Sequence, residues 1–221
     1  MTANVVKLGQ IATIDISNVD KKSKVGEAEV RLCNFVDVYH NWAITGNISK
    51  GFMIATANEN QVVRFSVKKG MIAITKDSET RNDIGIPTYF ADDFTDVVLG
   101  YHCALIKPDE TILEGKYLNV VLHTEYAKRY FEANASGSGQ RYTLTNEIIA
   151  GFPVPLPTIE EQRKIGNLFS TIDKKIENNN AICADLEGMA KLLYDYWFVQ
   201  FDFPDENGKP YKSSGGKMVW N

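Results

Sequence analysis

A regular spacing of apolar residues over 158–198 constrains the fold more than any other feature of the sequence. The steps between them alternate between four and three, which predicts one long helix with a heptad seam. The seam would run along a rod of some 40 residues, roughly 60 Å long at about 1.5 Å per residue. Such a stripe is too long to bury against one small domain, so we expect a second long helix beside it. The seam positions are Ile165, Phe169, Ile172, Ile176, Asn179, Cys183, Leu186, Ala190, Leu193 and Trp197.

The start and the middle of this helix carry further signals. Thr158 and Glu161 have the spacing of a capping box, in which each side chain bonds the other residue's backbone N–H. Asn179 lies in the seam, where a polar residue costs stability and fixes the register of paired helices. A helix packed along its own globular domain is the alternative interpretation.

The segment 151–157 divides the chain. It contains three prolines in five positions, and each proline fixes φ and removes a backbone donor. We therefore expect an extended connector between a domain over 1–155 and a helical region over 156–221. A proline-rich ligand for a partner domain is the alternative.

The first domain is predicted to be a globular mixed α/β unit, which gives the chain an α+β fold followed by a coiled-coil-forming α-helix. Residues rich in Val, Ile, Tyr and Phe predict strands over 31–39, 71–75, 85–90 and 97–106. Apolar residues at helical spacing predict one amphipathic helix over 114–133.

Composition excludes several classes of protein. The 221 residues hold 24 Lys+Arg against 28 Asp+Glu, a net charge of −4. No run approaches the roughly 18–20 apolar residues of a membrane span, and the first residues lack a signal peptide. Cys33, Cys103 and Cys183 are few and far apart, which suits a reduced cytoplasm. The mild acidity speaks against a general nucleic-acid binder.

Catalytic motifs are mostly missing. The sequence has no phosphate loop, no nucleophile elbow and no zinc-finger spacing between its histidines and cysteines, so we predict no metal site. Asp109, Glu114 and Lys116 resemble the acids and lysine of a Mg²⁺-dependent nuclease. Only a tight turn separates these acids, however, and a solvated turn is the simpler interpretation.

Three polar loops, over 56–61, 74–83 and 136–143, have the composition of a reading surface. Arginine pairs with guanine, Asn and Gln pair with adenine, and Ser or Thr bind phosphate. Each loop taken separately is weak evidence, because charged loops are usually only solvated.

Five runs of sequence resemble the specificity subunit of type I restriction-modification systems. The resemblance extends over essentially the whole chain. The most specific runs are the proline connector leading into Glu-Glu-Gln and the closing Tyr-Trp-Phe segment. The runs are VKLG at 6–9, ITKDSET at 74–80, GYHCALI at 100–106, PVPLPTIEEQ at 153–162 and MAKLLYDYWFVQFDFP at 189–204.

The resemblance implies a target-recognition domain followed by a helical spacer. Subunits of this family usually carry two such units, held apart by paired antiparallel helices, whereas this sequence has one. It thus resembles a half-size subunit that would restore the two-fold arrangement as a homodimer. Each copy would read one half of a bipartite DNA site, with the helices setting the spacing.

The resemblance also implies recognition without catalysis in this chain. A modification subunit would bring S-adenosylmethionine, and a restriction subunit would add ATP- and Mg²⁺-dependent translocation and cleavage. A protein-interaction module that never touches DNA is the main alternative, and the nuclease is the minor one. No membrane contact is expected.

Particular residues are predicted to make the contacts with DNA and with partner chains. Arg141 is expected at a base edge and Lys76 at phosphate, whereas Tyr101 and His102 could equally form a buried strand pair. Tyr194, Phe198 and Trp220 are expected at the dimer or modification-subunit contact. The predicted DNA-binding residues are Lys76, Ser78, Thr80, Arg81, Tyr101, His102, Gln140, Arg141 and Tyr142. The predicted interface residues are Ile165, Phe169, Ile172, Ile176, Asn179, Leu186, Leu193 and Trp197.

The charge balance limits how DNA could be held. Residues 1–150 contain 16 basic and 18 acidic side chains and the remainder 8 and 10, so each part carries −2. Positive charge must therefore be gathered on one face, with much of the phosphate contact supplied by partners. We expect weak DNA binding by the isolated chain.

Overall fold

The structure is a computed structural model that describes residues 4–137 and 139–200, with the side chains of 198–200 left out. The chain divides into two compact units, Met1–Asp173 and Lys174–Asn221, and the division falls inside the long helix. The first unit contains every strand that the structure describes. The described part of the second unit continues the helix.

Thirteen short strands and six α-helices make up the described chain. The strands are β1 (Asn4–Lys7), β2 (Ala12–Ile16), β3 (Ala28–Cys33), β4 (Ala43–Ile44), β5 (Met53–Ala57), β6 (Ile72–Thr75), β7 (Asp77–Ser78), β8 (Pro87–Phe90), β9 (Val97–Leu99), β10 (Cys103–Pro108), β11 (Ser136–Gly137), β12 (Tyr142–Thr143) and β13 (Pro153–Leu156). The helices are α1 (Phe35–His40), α2 (Glu59–Phe65), α3 (Gly115–Leu122), α4 (Glu125–Asn134), α5 (Asn146–Ala150) and α6 (Ile159–Tyr194), and a π-helical turn, Asp195–Gln200, follows α6. This α+β architecture confirms the predicted fold class.

A five-stranded sheet in the order β2-β10-β6-β8-β4 forms the centre of the first unit. Successive side chains of a strand point to opposite faces. On β6, Ile72 and Ile74 therefore join the core formed with α3 and α4, whereas Ala73 joins a second core with α1. Both faces are buried, which explains why these strands read as continuous apolar runs rather than as alternating ones. A separate three-stranded sheet, β5-β3-β9, encloses a third core.

Three of the predicted elements are interrupted by local capping or turns. The predicted strand over 31–39 ends at Cys33, because the side chain of Asn34 and that of Asp37 form a capping box that begins α1. The strand over 97–106 is two strands, separated by a turn at residues 101–102. The helix over 114–133 is two helices, because the Thr124 hydroxyl accepts the N–H of Ala127 and starts α4.

The proline-rich segment is a strand rather than a free connector. β13 pairs antiparallel with β1 at the edge of the first unit, with Pro153 opposite Lys7 and Leu156 opposite Asn4. Prolines are tolerated there because an edge strand needs only one row of backbone hydrogen bonds. The extended backbone is as predicted, and the segment is paired with β1.

The long helix begins as predicted, directly after Thr158. The Thr158 N–H and hydroxyl both donate to the Glu161 carboxylate, at 3.0 and 2.8 Å, which forms the expected cap. The first turns of α6 pack on the first unit, where Gln162 and Gly166 are buried. Ile165, one of the eight predicted interface residues, is partly buried and packs against the main core. The other seven predicted interface residues, from Phe169 to Trp197, are exposed or partly exposed.

Candidate nucleic-acid interface

The polar segments 74–83 and 136–143 meet in a small three-stranded sheet, β11-β12-β7. Thr143 lies opposite Asp77 and Tyr142 opposite Ser78. On the other side of β12, Ser136 pairs with Thr143. Two segments about 60 residues apart in sequence thus present their polar side chains side by side. The loop over 56–61 does not join them, because it forms the end of β5 and the cap of α2.

Asp77 is the centre of this site. Its carboxylate accepts hydrogen bonds from the Lys76 ammonium at 2.8 Å and from the Thr143 hydroxyl, and it lies 2.6 Å from His102 Nδ1. Arg141 Nη2 lies 3.9 Å from the same carboxylate. Burial would raise the pKa of Asp77, but the hydrogen bonds from Lys76, Thr143 and His102 outweigh it and lower the pKa to about 2. Asp77 is therefore a carboxylate under all physiological conditions.

His102 occupies the turn between β9 and β10 with a φ of 71°, in the left-handed region that non-glycine residues rarely adopt. Because the Asp77 carboxylate can only accept, His102 Nδ1 must carry the hydrogen that bridges them. Arg141 Nη2 lies 2.9 Å from that same nitrogen, which then has no free lone pair for it, and 3.3 Å from His102 Nε2, whose lone pair can accept its hydrogen. The other N–H groups of the Arg141 guanidinium are available to a ligand.

Two open cavities lie on either side of the Asp77, His102 and Arg141 cluster. The larger, of about 730 Å³, extends toward α1. The smaller, of about 530 Å³, extends toward the end of β2. The larger cavity is lined by Phe35, Val36, Tyr39, His40, Ser78, Glu79, Thr80, Asp83 and Gln140 in addition to the cluster. The smaller is lined by Ile16, Ser17, Asn18, Asp20, Lys76, Tyr101 and Thr143 in addition to the cluster.

Seven of the nine predicted DNA-binding residues line these cavities, namely Lys76, Ser78, Thr80, Tyr101, His102, Gln140 and Arg141. The other two, Arg81 and Tyr142, form a pair of their own. The Arg81 guanidinium carbon lies 5.3 Å from the centre of the Tyr142 ring, and its Nη2 donates to the carbonyl of Ala135 at 3.2 Å. Tyr101 and His102 belong to a turn, so the alternative of a buried strand pair is wrong.

Sequence reasoning missed the residues that organise the site. Asp77 and Thr143 were part of the polar segments, but nothing local distinguishes them from their neighbours. Tyr39 was assigned to a strand, whereas it lies on α1, where its hydroxyl donates to the Asp83 carboxylate at 2.9 Å. This bond ties α1 to the segment 79–84 and forms one wall of the larger cavity.

The suggested nuclease residues are each engaged elsewhere. The Asp109 carboxylate accepts bonds from Thr111, Glu114 caps α3 by accepting the N–H of Tyr117, and Lys116 donates to Asn167. Among residues 4–137 and 139–200, no group of three or more His, Cys, Asp or Glu side chains is placed to hold a metal ion. Nor does any helix in the described ranges combine the length and apolarity of a membrane span.

Comparison with known proteins finds a matching family model. A family model described as the type I restriction modification DNA specificity domain matches residues 2–188. Over 138 residues the chain is 30% identical to the type I restriction enzyme HindI specificity subunit of Haemophilus influenzae, covering 62% of this chain and 29% of that protein. It is 30% identical over 88 residues to the MjaIX specificity subunit of Methanocaldococcus jannaschii, covering 40% of this chain and 20% of that protein.

Solved structures show a similar fold. The HsdS subunit from Thermoanaerobacter tengcongensis aligns with a TM-score of 0.52 at 17% identity, over 87% of this chain and 42% of that one. A chain from a type I R-M system aligns with a TM-score of 0.56 at 18% identity, over 87% of this chain and 43% of that one. The chain thus spans less than half the length of these relatives.

Proposed function

Because this chain belongs to the family of type I restriction modification DNA specificity domains, we propose that it reads one half of a bipartite DNA site. The proposed role is recognition without catalysis. The family model matches residues 2–188, from the first strand into the long helix, so the proposal concerns that part of the chain.

The exposed Arg141 guanidinium between two open cavities is the observation that carries the proposal. Arginine is the side chain that most often reads guanine in the major groove, through two parallel hydrogen bonds. Gln140, next to it, has the amide that pairs with adenine. Ser78 and Thr80 line the same cavity and can donate to phosphate or base. The surface therefore combines base-reading and backbone-binding groups within one small sheet.

The exposed apolar seam of α6 supports dimerisation as the second part of the proposal. Phe169, Ile172, Ile176, Leu186, Leu193 and Trp197 on α6 and the turn after it are all exposed at the seam positions. A second copy related by a two-fold axis would cover them with the same residues. The pair of helices would then set the distance between the two half-sites, and the preferred DNA would be an interrupted palindrome. The Phe198 side chain and Trp220, also expected at this contact, lie outside the described residues.

The remaining chemistry is assigned to partners. We propose that a modification subunit binds the dimer and supplies S-adenosylmethionine for adenine methylation. A restriction subunit would supply ATP- and Mg²⁺-dependent cleavage. The proposed site of action is the cytoplasm, where DNA and these subunits meet.

Single-molecule mapping of methylated adenines in the host genome tests this function. We expect an interrupted, palindromic motif whose methylation disappears when the gene for this chain is deleted and returns with a plasmid copy. Methylation that is unchanged by the deletion would contradict the proposal. A motif with two unrelated halves would be consistent with DNA recognition by this chain but would contradict the homodimer.

The reading surface is tested separately with Arg141→Ala. Losing one two-pronged base contact should weaken binding to the mapped site by about 1–3 kcal/mol and relax the choice of one base. Arg129→Ala is the matched control, because Arg129 is an exposed arginine on α4 whose partner is Glu125. If Arg141→Ala and the unsubstituted chain bind the mapped site equally, Arg141 is not part of the DNA-reading surface. No DNA binding by the unsubstituted chain, alone or with the modification subunit, would favour the interaction-module alternative.

A further inference from the structure

The three nitrogen-bearing side chains around Asp77 differ sharply in exposure. The side chain of Lys76 is 17% exposed and that of His102 is 26% exposed, whereas that of Arg141 is 60% exposed. Asp77 itself is 9% exposed. Lys76, His102 and Asp77 are therefore largely shielded from solvent, whereas Arg141 is exposed to it.

The contacts with Asp77 separate the same groups. Lys76, His102 and Thr143 lie within hydrogen-bond distance of its carboxylate, whereas Arg141 does not. Lys76 and His102 approach the carboxylate to 2.8 and 2.6 Å, and Thr143 donates to its other oxygen. Charge-assisted bonds of this length are among the stronger ones in proteins. Arg141, at 3.9 Å, lies beyond hydrogen-bond distance of the carboxylate. The nearly buried carboxylate of Asp77 neutralises the Lys76 ammonium and competes with a phosphate for it.

From this division we infer that Asp77 is a positioning residue for DNA discrimination, and that Lys76, His102 and Thr143 hold Arg141 in place rather than contact DNA themselves. Asp77 fastens the turn at His102 to β7 and β12, and Arg141 precedes β12 directly. It also keeps Lys76 away from phosphate, so that binding energy comes from base contacts more than from charge. The inference rests on the proposed function and deepens it.

Removing the Asp77 charge should therefore change two properties in opposite directions. In Asp77→Asn, Lys76 loses its ionic partner and becomes free to bind phosphate, which raises affinity for DNA of any sequence. Arg141 loses its support at the same time, which lowers discrimination. A residue that merely stabilised the fold would lower both affinities together.

The test uses the full chain, alone and reconstituted with the modification subunit from the same host. A duplex pool with randomised sequence measures discrimination, and a salt titration on one scrambled duplex measures phosphate contacts. For Asp77→Asn we expect a roughly tenfold loss of motif enrichment. The slope of log affinity against log salt should steepen by about 0.9, the value for one added phosphate contact.

Asp109→Asn controls for net charge, because it removes one exposed carboxylate at the opposite end of β10. Should Asp77→Asn fail to fold, Thr143→Val removes one bond to the carboxylate while keeping shape and charge. It should reduce enrichment without changing the salt slope. An unsubstituted chain that enriches no motif overturns both the proposed function and this inference. A normal motif from the unsubstituted chain, with the same enrichment and salt slope in Asp77→Asn, overturns the inference and leaves the function standing.

Discussion

The side-chain oxygen of Gln162 accepts a hydrogen bond from the backbone N–H of Glu114 at 2.9 Å. The same amide donates to the carbonyl oxygens of Ile112 and Pro157, at 3.1 and 3.0 Å. Gln162 is fully buried on the first turn of α6. One side chain therefore satisfies three backbone groups and fastens the start of the long helix to the segment that leads into α3.

Replacing Gln162 with alanine should destabilise the chain by about 3 kcal/mol, because it removes three hydrogen bonds to backbone groups, each worth about 1 kcal/mol. Urea unfolding followed by circular dichroism measures this loss. Asn167→Ala is the control, since Asn167 is exposed and its side chain accepts one hydrogen bond from Lys116, and it should change stability by less than about 0.5 kcal/mol. Equal midpoints for the two variants would show that the amide of Gln162 is dispensable.

Gly115 marks a close approach of two backbones. A Cβ atom at this position would lie 2.1 Å from the carbonyl oxygen of Gly70. Neither backbone can move freely, so Gly115→Ala should cost about 3 kcal/mol or more. Gly188 on α6 has open space around it, and Gly188→Ala should stabilise the helix by about 0.5–1 kcal/mol. Thermal unfolding of both variants would test the contrast, and a neutral Gly115→Ala would contradict it.

The Asp77 carboxylate makes stability depend on acidity. Its pKa is about 2 in the folded chain and near 3.8 when unfolded, so the unfolded chain binds more protons between these values. The contribution of Asp77 is therefore fully present above about pH 4 and is lost as the pH falls through about 2. This contribution is about 2 kcal/mol.

The measurement compares the free energy of unfolding of the unsubstituted chain with that of Asp77→Asn at neutral pH and at about pH 2. The difference should be larger at neutral pH and shrink in acid. A difference that stays the same at both pH values would mean that the carboxylate is not held by its neighbours. Asp109→Asn should show a smaller effect, because Asp109 is exposed.

Leu186 tests the proposed helix pair. It is 59% exposed at a seam position of α6. In a two-fold dimer, Leu186→Glu would place two carboxylates where two leucines were buried, and should raise the dissociation constant by about a hundredfold or more. Ala181→Glu adds the same charge at the outermost position of the heptad and should leave the dimer intact.

Sedimentation equilibrium gives the outcome directly, since one chain has a mass of 24.8 kDa. Twice that mass is expected for the unsubstituted chain and for Ala181→Glu. A monomer at micromolar concentration for all three proteins would contradict the helix pair. If only one copy of this chain is found per complex when the modification subunit is added, the half-size subunit is ruled out.

Structure could be predicted from the sequence where contacts between residues close in sequence determine it. The Thr158 and Glu161 cap and the length of α6 depend on contacts within four residues, and both were predicted. Breaks were missed at Asn34 and Thr124, where a single capping side chain overrides the apolar pattern around it. The strand β13 was missed because its partner β1 lies about 150 residues away, so no local signal identifies the pairing.

The sequence by itself determined the α+β class, the long helix with its seam, the family and the polar segments from which a reading surface could be built. Tertiary structure decided which of those polar groups meet. Asp77 and Thr143 are 66 residues apart and touch only because β7 pairs with β12. Helix caps and periodicity arise from short-range contacts and can be read along the chain. Strand pairing depends on cores assembled from distant segments, so the separation of the partly buried Lys76 and His102 from the exposed Arg141 exists only in the folded molecule.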